Sequence, residues 1–364
     1  RAAQEPFERH RVCSTQDDSE EAPLRWDNIY LAGIGLYLPE QVYTAEQAVA
    51  DGVYDAAAAE TNGVRAVRVA SDDEPGVVMA AAAGREAVEH SGIDRRDIDL
   101  VLHGYVSHQG RELWSPAHYV QQEAVGTGSS ITLELRQGCN GALAALELAA
   151  SHLTARPHAK AALITAGDAF RLPYIDRWKS DDQTIFGDAG SAAVLSTEGG
   201  FARLLATASV TEPSLEPLYR GNGPWTWAPF DTGKPVDLTT RKDQWLMRYE
   251  DAYDDALALV GERVNDVLSR VLAEAETSIE DAQWFVHANV IKPIAEWGFY
   301  KALNLDPAKT TYEWGLDLGH MGNSDQFAGI HHLLHTGRVR PGDKLITMGA
   351  GIGFMWTAAV LEFV

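Results

Sequence analysis

Ile131-Thr132-Leu133-Glu134-Leu135-Arg136-Gln137-Gly138-Cys139-Asn140-Gly141, followed by the apolar run Ala142 to Ala150, decides how the chain is read. Ile131 to Leu135 has strand character, glycines flank a tight turn, and a helix begins at or just after the cysteine. A thiol at a strand-to-helix junction sits beside free helix N–H groups and the positive end of the helix dipole, which stabilise a thiolate. A thiolate is a strong nucleophile toward acyl groups. A buried structural cysteine fits the same local sequence, so partners elsewhere in the chain must decide.

Outward from this stretch, strands and helices alternate. Strands are expected at Ile29 to Leu36, Ile98 to Tyr105, Ala161 to Ala166 and Asp188 to Ser196, with helices at Gly76 to His90, Ser115 to Val125 and Ala142 to Thr154. In the second half, Phe201 to Val210, Trp284 to His287, Lys344 to Ala350 and Phe354 to Phe363 read as strands. Tyr249 to Ala275, Lys292 to Leu303 and Gln326 to His335 read as helices. The alternation predicts an α/β sandwich with mixed sheets. Ala162-Leu163-Ile164-Thr165-Ala166-Gly167 echoes Leu345-Ile346-Thr347-Met348-Gly349, and each is followed by a second apolar strand. Either apolar strands coincide by chance, or one βα unit occurs twice with a site at the shared centre.

At 364 residues and 45% hydrophobic composition, the chain can bury one large α/β body or two ordinary domains. A formal charge of -22 argues against nucleic acid and anionic membranes as partners. Two cysteines make no disulfide framework, which points to a reducing, cytoplasmic setting. No apolar run is long enough to span a bilayer and no signal-peptide pattern is present. The sequence opens on Arg1 rather than Met, which reads as a missing or processed terminus. Residues 1–26 are polar and acidic and read as a tail. Between Pro213 and Trp245 the periodicity breaks into a Gly-, Pro- and aromatic-rich segment. It is read as a cap over a pocket, with Trp225, Trp227 and Phe230 as candidate substrate contacts.

A reactive thiol needs a base and oxyanion donors. His287 follows the apolar strand Trp284-Phe285-Val286, where an α/β fold presents side chains to its ligand crevice. A core histidine is the bland alternative. Gly319-His320-Met321-Gly322-Asn323-Ser324-Asp325-Gln326 opens the next helix, with Asn323 and Asp325 either capping it or orienting an imidazole. His331 and His335 have a spacing a metal could use, but no carboxylate motif accompanies them, so neither metal nor cofactor is expected. Gly349-Ala350-Gly351-Ile352-Gly353 lacks the crossover of a dinucleotide fingerprint and suits close backbone approach to a ligand.

Taken in order, several segments resemble the thiolase-fold condensing enzymes of the ketoacyl-ACP synthase III family. They are Gly33-Ile34-Gly35-Leu36-Tyr37-Leu38-Pro39, Ser91-Gly92-Ile93-Asp94, Phe186-Gly187-Asp188-Ala189-Gly190, Gly337-Arg338-Val339-Arg340-Pro341-Gly342-Asp343 and Gly351-Ile352-Gly353-Phe354. The resemblance runs from about Ile29 to Phe363. It implies a thiolase-like fold of two pseudo-duplicated mixed-sheet βα halves in a layered α/β sandwich, residues 27–198 and 199–364, and a homodimer. By position it implies Cys139 as acyl-carrying nucleophile, His287 as catalytic histidine, Asn323 as the family asparagine, and the backbone N–H groups of Cys139 and Ile352 as the oxyanion hole. Asn289 falls in the shortened His-Ala-Asn run and is assigned to substrate binding.

The departures are informative. Ser324-Asp325-Gln326-Phe327 stands where condensing enzymes carry small residues, and Ala142 stands where they often carry Phe. A carboxylate beside the histidine suits deprotonation of an acceptor. This resembles the acyltransferase branch of antibiotic pathways, with Asp325 as third member. The expectation is ping-pong transfer of an acyl group from a carrier-protein or CoA thioester to a hydroxyl or amine of a sugar- or aminocyclitol-type acceptor. Decarboxylative condensation with a malonyl thioester, using His287 and Asn323, is the alternative. A non-catalytic thiolase-fold partner subunit is the third reading.

Overall fold

The computed structural model describes residues 25–126, 128–227, 233–248 and 251–364. Eleven strands are named here: β1 (Tyr30–Tyr37), β2 (Val42–Thr44), β3 (Ala66–Arg68), β4 (Ile98–Gly104), β5 (Ile131–Leu135), β6 (Ala161–Asp168), β7 (Ala189–Ser196), β8 (Ala202–Thr211), β9 (Trp284–Val286), β10 (Lys344–Gly351) and β11 (Met355–Phe363). Nine of them form one hydrogen-bonded sheet in the order β5-β4-β6-β7-β1-β8-β11-β10-β9. β2 and β3 pair separately, together with helices at Ala45–Ala50 and Ala56–Asn62, in a region the sequence reading left blank.

The nine strands repeat one arrangement. β4 lies parallel to β6, β6 antiparallel to β7, and β7 antiparallel to β1. In the other half β9 lies parallel to β10, β10 antiparallel to β11, and β11 antiparallel to β8. The sheet passes from one half to the other at β1 and β8, which pair Tyr30 with Arg203 and Leu31 with Ala202. The echo between Ala162–Gly167 and Leu345–Gly349 thus falls on β6 and β10, which occupy equivalent places.

Side-chain alternation explains why β6 and β11 carry apolar side chains toward both of their faces. Successive residues of a strand face opposite sides of the sheet. In β6, Ala162, Ile164 and Ala166 join the central core, whereas Ala161 and Leu163 pack with Val77, Ala80 and Ala87 of the Gly76–Ser91 helix. In β11, Ala359, Leu361 and Phe363 join the central core, whereas Trp356, Ala358 and Val360 pack with Val267, Leu268 and Val271 of the Ala252–Glu274 helix. Strands covered on both faces need no polar positions, and β6 and β7 are buried along their whole length. The central core also takes Leu143, Leu146 and Leu153 of the Gly141–Ala155 helix and Phe327, Ile330 and Leu333 of the Asp325–His335 helix. The layers are therefore helix, half-sheet, paired central helices, half-sheet, helix. The two central helices each begin at a sequence singled out for chemistry, Cys139 and Asp325.

Phe327 is fully buried in this central layer. Phe327→Ala is expected to destabilise the protein by about 3–5 kcal/mol, and Phe327→Leu by clearly less. Denaturant melts followed by fluorescence check this; equal midpoints for both variants and the parent would contradict the packing described.

Candidate functional site

Cys139 is half-buried in a 3-10 turn, Gly138–Asn140, that runs directly into the Gly141–Ala155 helix. Gly138 has φ of +51° and lies against the loop between β10 and β11. A Cβ there would come within 2.6 Å of the backbone nitrogen of Ile352, so glycine is required for the approach. The two backbone segments expected to supply oxyanion donors are thus brought together.

The imidazole at the thiol belongs to His320. Its Nε2 is 2.9 Å from Cys139 Sγ, and its Nδ1 is 2.5 Å from Asp325 Oδ2. The expected pairing of His287 with Cys139 is therefore corrected. His287 instead donates Nδ1–H to the carbonyl of Ala288 at 2.8 Å and stacks on Phe299 with ring centroids 4.1 Å apart. Its Nε2 is buried without a hydrogen-bond partner among the described residues. Burial holds the His287 imidazole down to a pKa of about 4, hence neutral at physiological pH. His287 ends its strand next to the site and packs among the rings of Phe299, Tyr300 and Tyr312.

Backbone turns explain how His320 reaches the thiol. Its own backbone is anchored to the Ile185–Gly187 segment, donating N–H to the Ile185 carbonyl at 2.7 Å and accepting from Gly187 at 3.0 Å. Gly319 and Gly322 on either side have φ of +75° and +61°. These left-handed positions fold the chain back so that Asp325, five residues later, bonds the ring. The sequence signal was present in the Gly319–Asp325 run, but which of twelve histidines faces the thiol depends on this loop and not on strand periodicity.

Asp325 is 2% exposed, and all four bonds it accepts come from the site. Oδ2 accepts from the backbone N–H of Asn289 at 2.7 Å and from His320; Oδ1 accepts from the N–H of Met321 at 2.8 Å and from Asn289 Nδ2 at 3.3 Å. Asn289 also donates to the Gly319 carbonyl at 3.0 Å. The assignment of Asn289 to substrate binding is corrected accordingly: its polar groups are spent on holding Asp325. Asn323 has a similar commitment. Its Oδ1 accepts from the N–H of Ala142 at 3.2 Å, capping the helix that carries Cys139, while its Nδ2 is buried without a partner among the described residues.

The electrostatics follow from this geometry. Burial pushes the His320 imidazole toward neutrality, but the charges of an ionised Cys139 and of Asp325 outweigh it and raise its pKa well above the usual range. Cys139 and Asp325 each stand at the start of a helix, where the dipole favours negative charge. Asp168, buried below the site, accepts from Val106, Ser107 and Asn323 N–H groups; its burial raises its pKa.

The expected cap behaves differently along its length. Leu215 and Trp245 pack into the core against β8 and β11, and Lys242 is buried in ion pairs with Asp181, at 2.6 Å, and Asp182. Tyr219 lies close to the site. Burial, then negative charge at Asp181 and Cys139, raise its pKa well above the usual value. By contrast, Trp225 and Trp227 are 85% and 101% exposed. Their side chains face outward among the described residues, in contrast to the expected pocket contacts, and Phe230 falls outside the described residues. Sequence reading missed Tyr219 because nothing in the local pattern distinguishes it.

A thiol bonded to an imidazole that a buried carboxylate holds can transfer its proton and become a nucleophile, with the same imidazole later available as a base. Among the described residues no helix is long and apolar enough to cross a membrane.

Residues 133–213 match the family model described as 3-oxoacyl-[acyl-carrier-protein (ACP)] synthase III, and residues 272–363 match its C-terminal model. A solved structure described as ChlB3, an acyltransferase, is 36% identical, with TM-score 0.87, covering 92% of this chain and 98% of that one. The beta-ketoacyl-[acyl-carrier-protein] synthase III of Chelativorans sp. (strain BNC1) is 26% identical over 341 residues, 91% of this chain and 98% of the relative. The 3-oxoacyl-[acyl-carrier-protein] synthase III structure from Aquifex aeolicus VF5 has TM-score 0.74 at 20% identity, covering 92% of this chain and 100% of that one, and shares the fold. With both halves matched and the likeness extending over nine-tenths of its length, the chain belongs to the thiolase-fold family of 3-oxoacyl-[acyl-carrier-protein] synthase III-like enzymes.

Proposed function

We infer that this enzyme is an acyltransferase working by a ping-pong mechanism through a Cys139 thioester. The acyl group comes from a carrier-protein or CoA thioester and goes to a hydroxyl or amine of a small sugar- or aminocyclitol-type acceptor in secondary metabolism. The observation that carries this reading is the continuous Asp325–His320–Cys139 relay.

In the first half-reaction the Cys139 thiolate attacks the donor carbonyl. The tetrahedral oxyanion sits near the backbone N–H groups of Cys139 and Ile352. As it collapses, the donor thiolate leaves and takes the proton of the His320 imidazolium. The enzyme is then S-acylated, and His320 is neutral. In the second half-reaction His320 accepts the proton of the acceptor O–H or N–H as the acceptor attacks the thioester. Cys139 leaves as thiolate, again paired with an imidazolium. Asp325 keeps Nδ1 protonated and the ring oriented throughout.

The charge balance supports this order. Acylation removes the thiolate charge that helped to hold the proton on His320, so the ring becomes a better base when one is needed. Similarity to ChlB3, described as an acyltransferase, points the same way. Condensation with a malonyl thioester is less well served. It calls for two neutral donors at the enolate, yet His287 spends its N–H on Ala288 and presents a lone pair at Nε2.

Incubation with acyl-CoA or acyl-carrier thioesters should add the acyl mass to the parent and not to Cys139→Ala. Absence of a Cys139-dependent adduct with every donor tested would overturn the reading. His320→Ala should lose transfer by ~10³-fold or more, Asp325→Asn by ~10²–10⁴-fold, and His287→Ala and Asn323→Ala far less. Loss in His287→Ala and Asn323→Ala with retention in Asp325→Asn, together with carbon dioxide release from malonyl thioester, would establish condensation instead.

The raised pKa of His320 has a defined sign. In a histidine NMR titration the His320 imidazolium should persist well above the usual range in the resting enzyme. It should lose its proton at lower pH in Cys139→Ser and in Asp325→Asn, because each removes a neighbouring anion. The associated stability is complete below the unfolded histidine pKa and disappears as pH rises through the folded one. A His320 pKa that both substitutions leave unchanged would refute the ion pair.

A further inference from the structure

Two helices that approach each other at Glu86 and His331 each carry a ligand-bearing pair at i,i+4 spacing. The Gly76–Ser91 helix presents Glu86 and His90, and the Asp325–His335 helix presents His331 and His335. Such pairs lie on one face of a helix, one turn apart. In sequence, His331 and His335 lacked a carboxylate partner. The fold supplies one from 245 residues away: His331 Nε2 is 3.5 Å from Glu86 Oε1.

We propose that Glu86, His331 and His335 form a binding site for a divalent transition metal of the zinc class. One ligand atom from each of these residues lies within 4.8 Å of the other two. Tetrahedral zinc with bonds of ~2.0–2.1 Å needs its ligand atoms roughly 3.3 Å apart, so metal binding requires them to approach one another by at most roughly 1.5 Å. Two imidazoles and one carboxylate suit zinc, cobalt or nickel and not magnesium or calcium, which prefer oxygen ligands.

The remaining polar atoms are already held as metal ligands require. Glu86 Oε2 accepts the backbone N–H of Leu36 at 2.8 Å, which leaves Oε1 facing His331. His335 donates Nδ1–H to the His331 carbonyl at 3.0 Å, which fixes its tautomer and leaves Nε2 with a lone pair. Bonds of this kind orient metal-ligating histidines and carboxylates. His331 Nε2 is buried without a hydrogen bond among the described residues. The His331 and His335 rings stack with centroids 3.9 Å apart and planes at 19°. His90 stands beside them, its ring centroid 5.7 Å from that of His335. A hollow of about 270 Å³ lined by Ala32, Ile34, His90, Phe201, Leu334 and His335 opens next to the cluster and gives an ion a path.

The test uses metal-free full-length protein with Cys139 carbamidomethylated, so that the thiol cannot take metal. Titration with zinc against a chromophoric chelator should show one site per chain. Cobalt should give the visible absorption of a tetrahedral or five-coordinate N/O site. His331→Ala and His335→Ala should each weaken zinc binding by about tenfold or more and abolish the cobalt spectrum. Glu86→Gln, which keeps an oxygen for Leu36, should weaken binding without changing the melting temperature of the metal-free protein. Stoichiometric binding that survives His331→Ala and His335→Ala together, or no zinc uptake by the parent, would overturn the proposal.

Discussion

The carboxylate of Asp325 is the point on which the site depends. Taking an unpaired carboxylate out of water costs several kcal/mol, so a buried one persists only where donors surround it. Here the donors come from two separate segments: the chain end after β9, through Asn289, and the Gly319–Met321 turn, through His320 and Met321. Satisfying the carboxylate fixes both segments against the start of the Asp325–His335 helix. The orientation of the His320 ring is therefore a by-product of the same bonds that make burial of Asp325 tolerable.

The thiol arrives at this ring from the other half of the chain by an equivalent route. Both central helices start at the middle of the layered body, each just after a Gly-containing 3-10 turn, Gly138–Asn140 and Gly322–Ser324. Asn323 ties the two together by capping the Gly141–Ala155 helix at Ala142 while donating its own N–H to Asp168. Cys139 and Asp325 thus stand at the positive ends of two helix dipoles with one imidazole between them. An imidazole flanked by a thiol and a carboxylate, each at the start of a helix, is an arrangement that the paired central helices provide.

Much of this was legible in the sequence, and the limits have physical causes. Strand and helix periodicity located the main sheet and both central helices, because burial on two faces makes β6, β7 and β11 predominantly apolar. The Cys139 turn and Asp325 were found because a thiol and a carboxylate at helix starts carry local chemistry. His287 was chosen for its place at a strand end, a rule of topology that says where a residue lies and not which way its ring turns. His320 sits in a loop whose path is set by Gly319 and Gly322, and no periodicity reports a loop's path. Trp225 and Trp227 were read as pocket-forming from composition alone, whereas the anchoring of their segment falls to Leu215, Trp245 and Lys242. Short strands β2 and β3, three residues each, carry too little pattern to register.

The distribution of charge also bears on how one histidine could serve both steps of the proposed transfer. A histidine held by a carboxylate alone keeps a constant affinity for its proton through a catalytic cycle. In the proposed transfer, His320 is held by Asp325 and by a thiolate that exists only between acylation events. Its proton affinity therefore rises when the thiolate is free and falls when the thiolate is esterified, by the loss of one full charge at hydrogen-bond distance. The direction matches the demand at each stage: a proton held until the donor thiol must leave, then a vacant nitrogen when the acceptor must be deprotonated. In a water-facing site, solvent would screen much of this alternation. His320, only 2% exposed, lies where it is transmitted almost undiluted. Burial of the imidazole, which by itself disfavours the cation, is thus what makes the cation's stability depend so strongly on the state of Cys139.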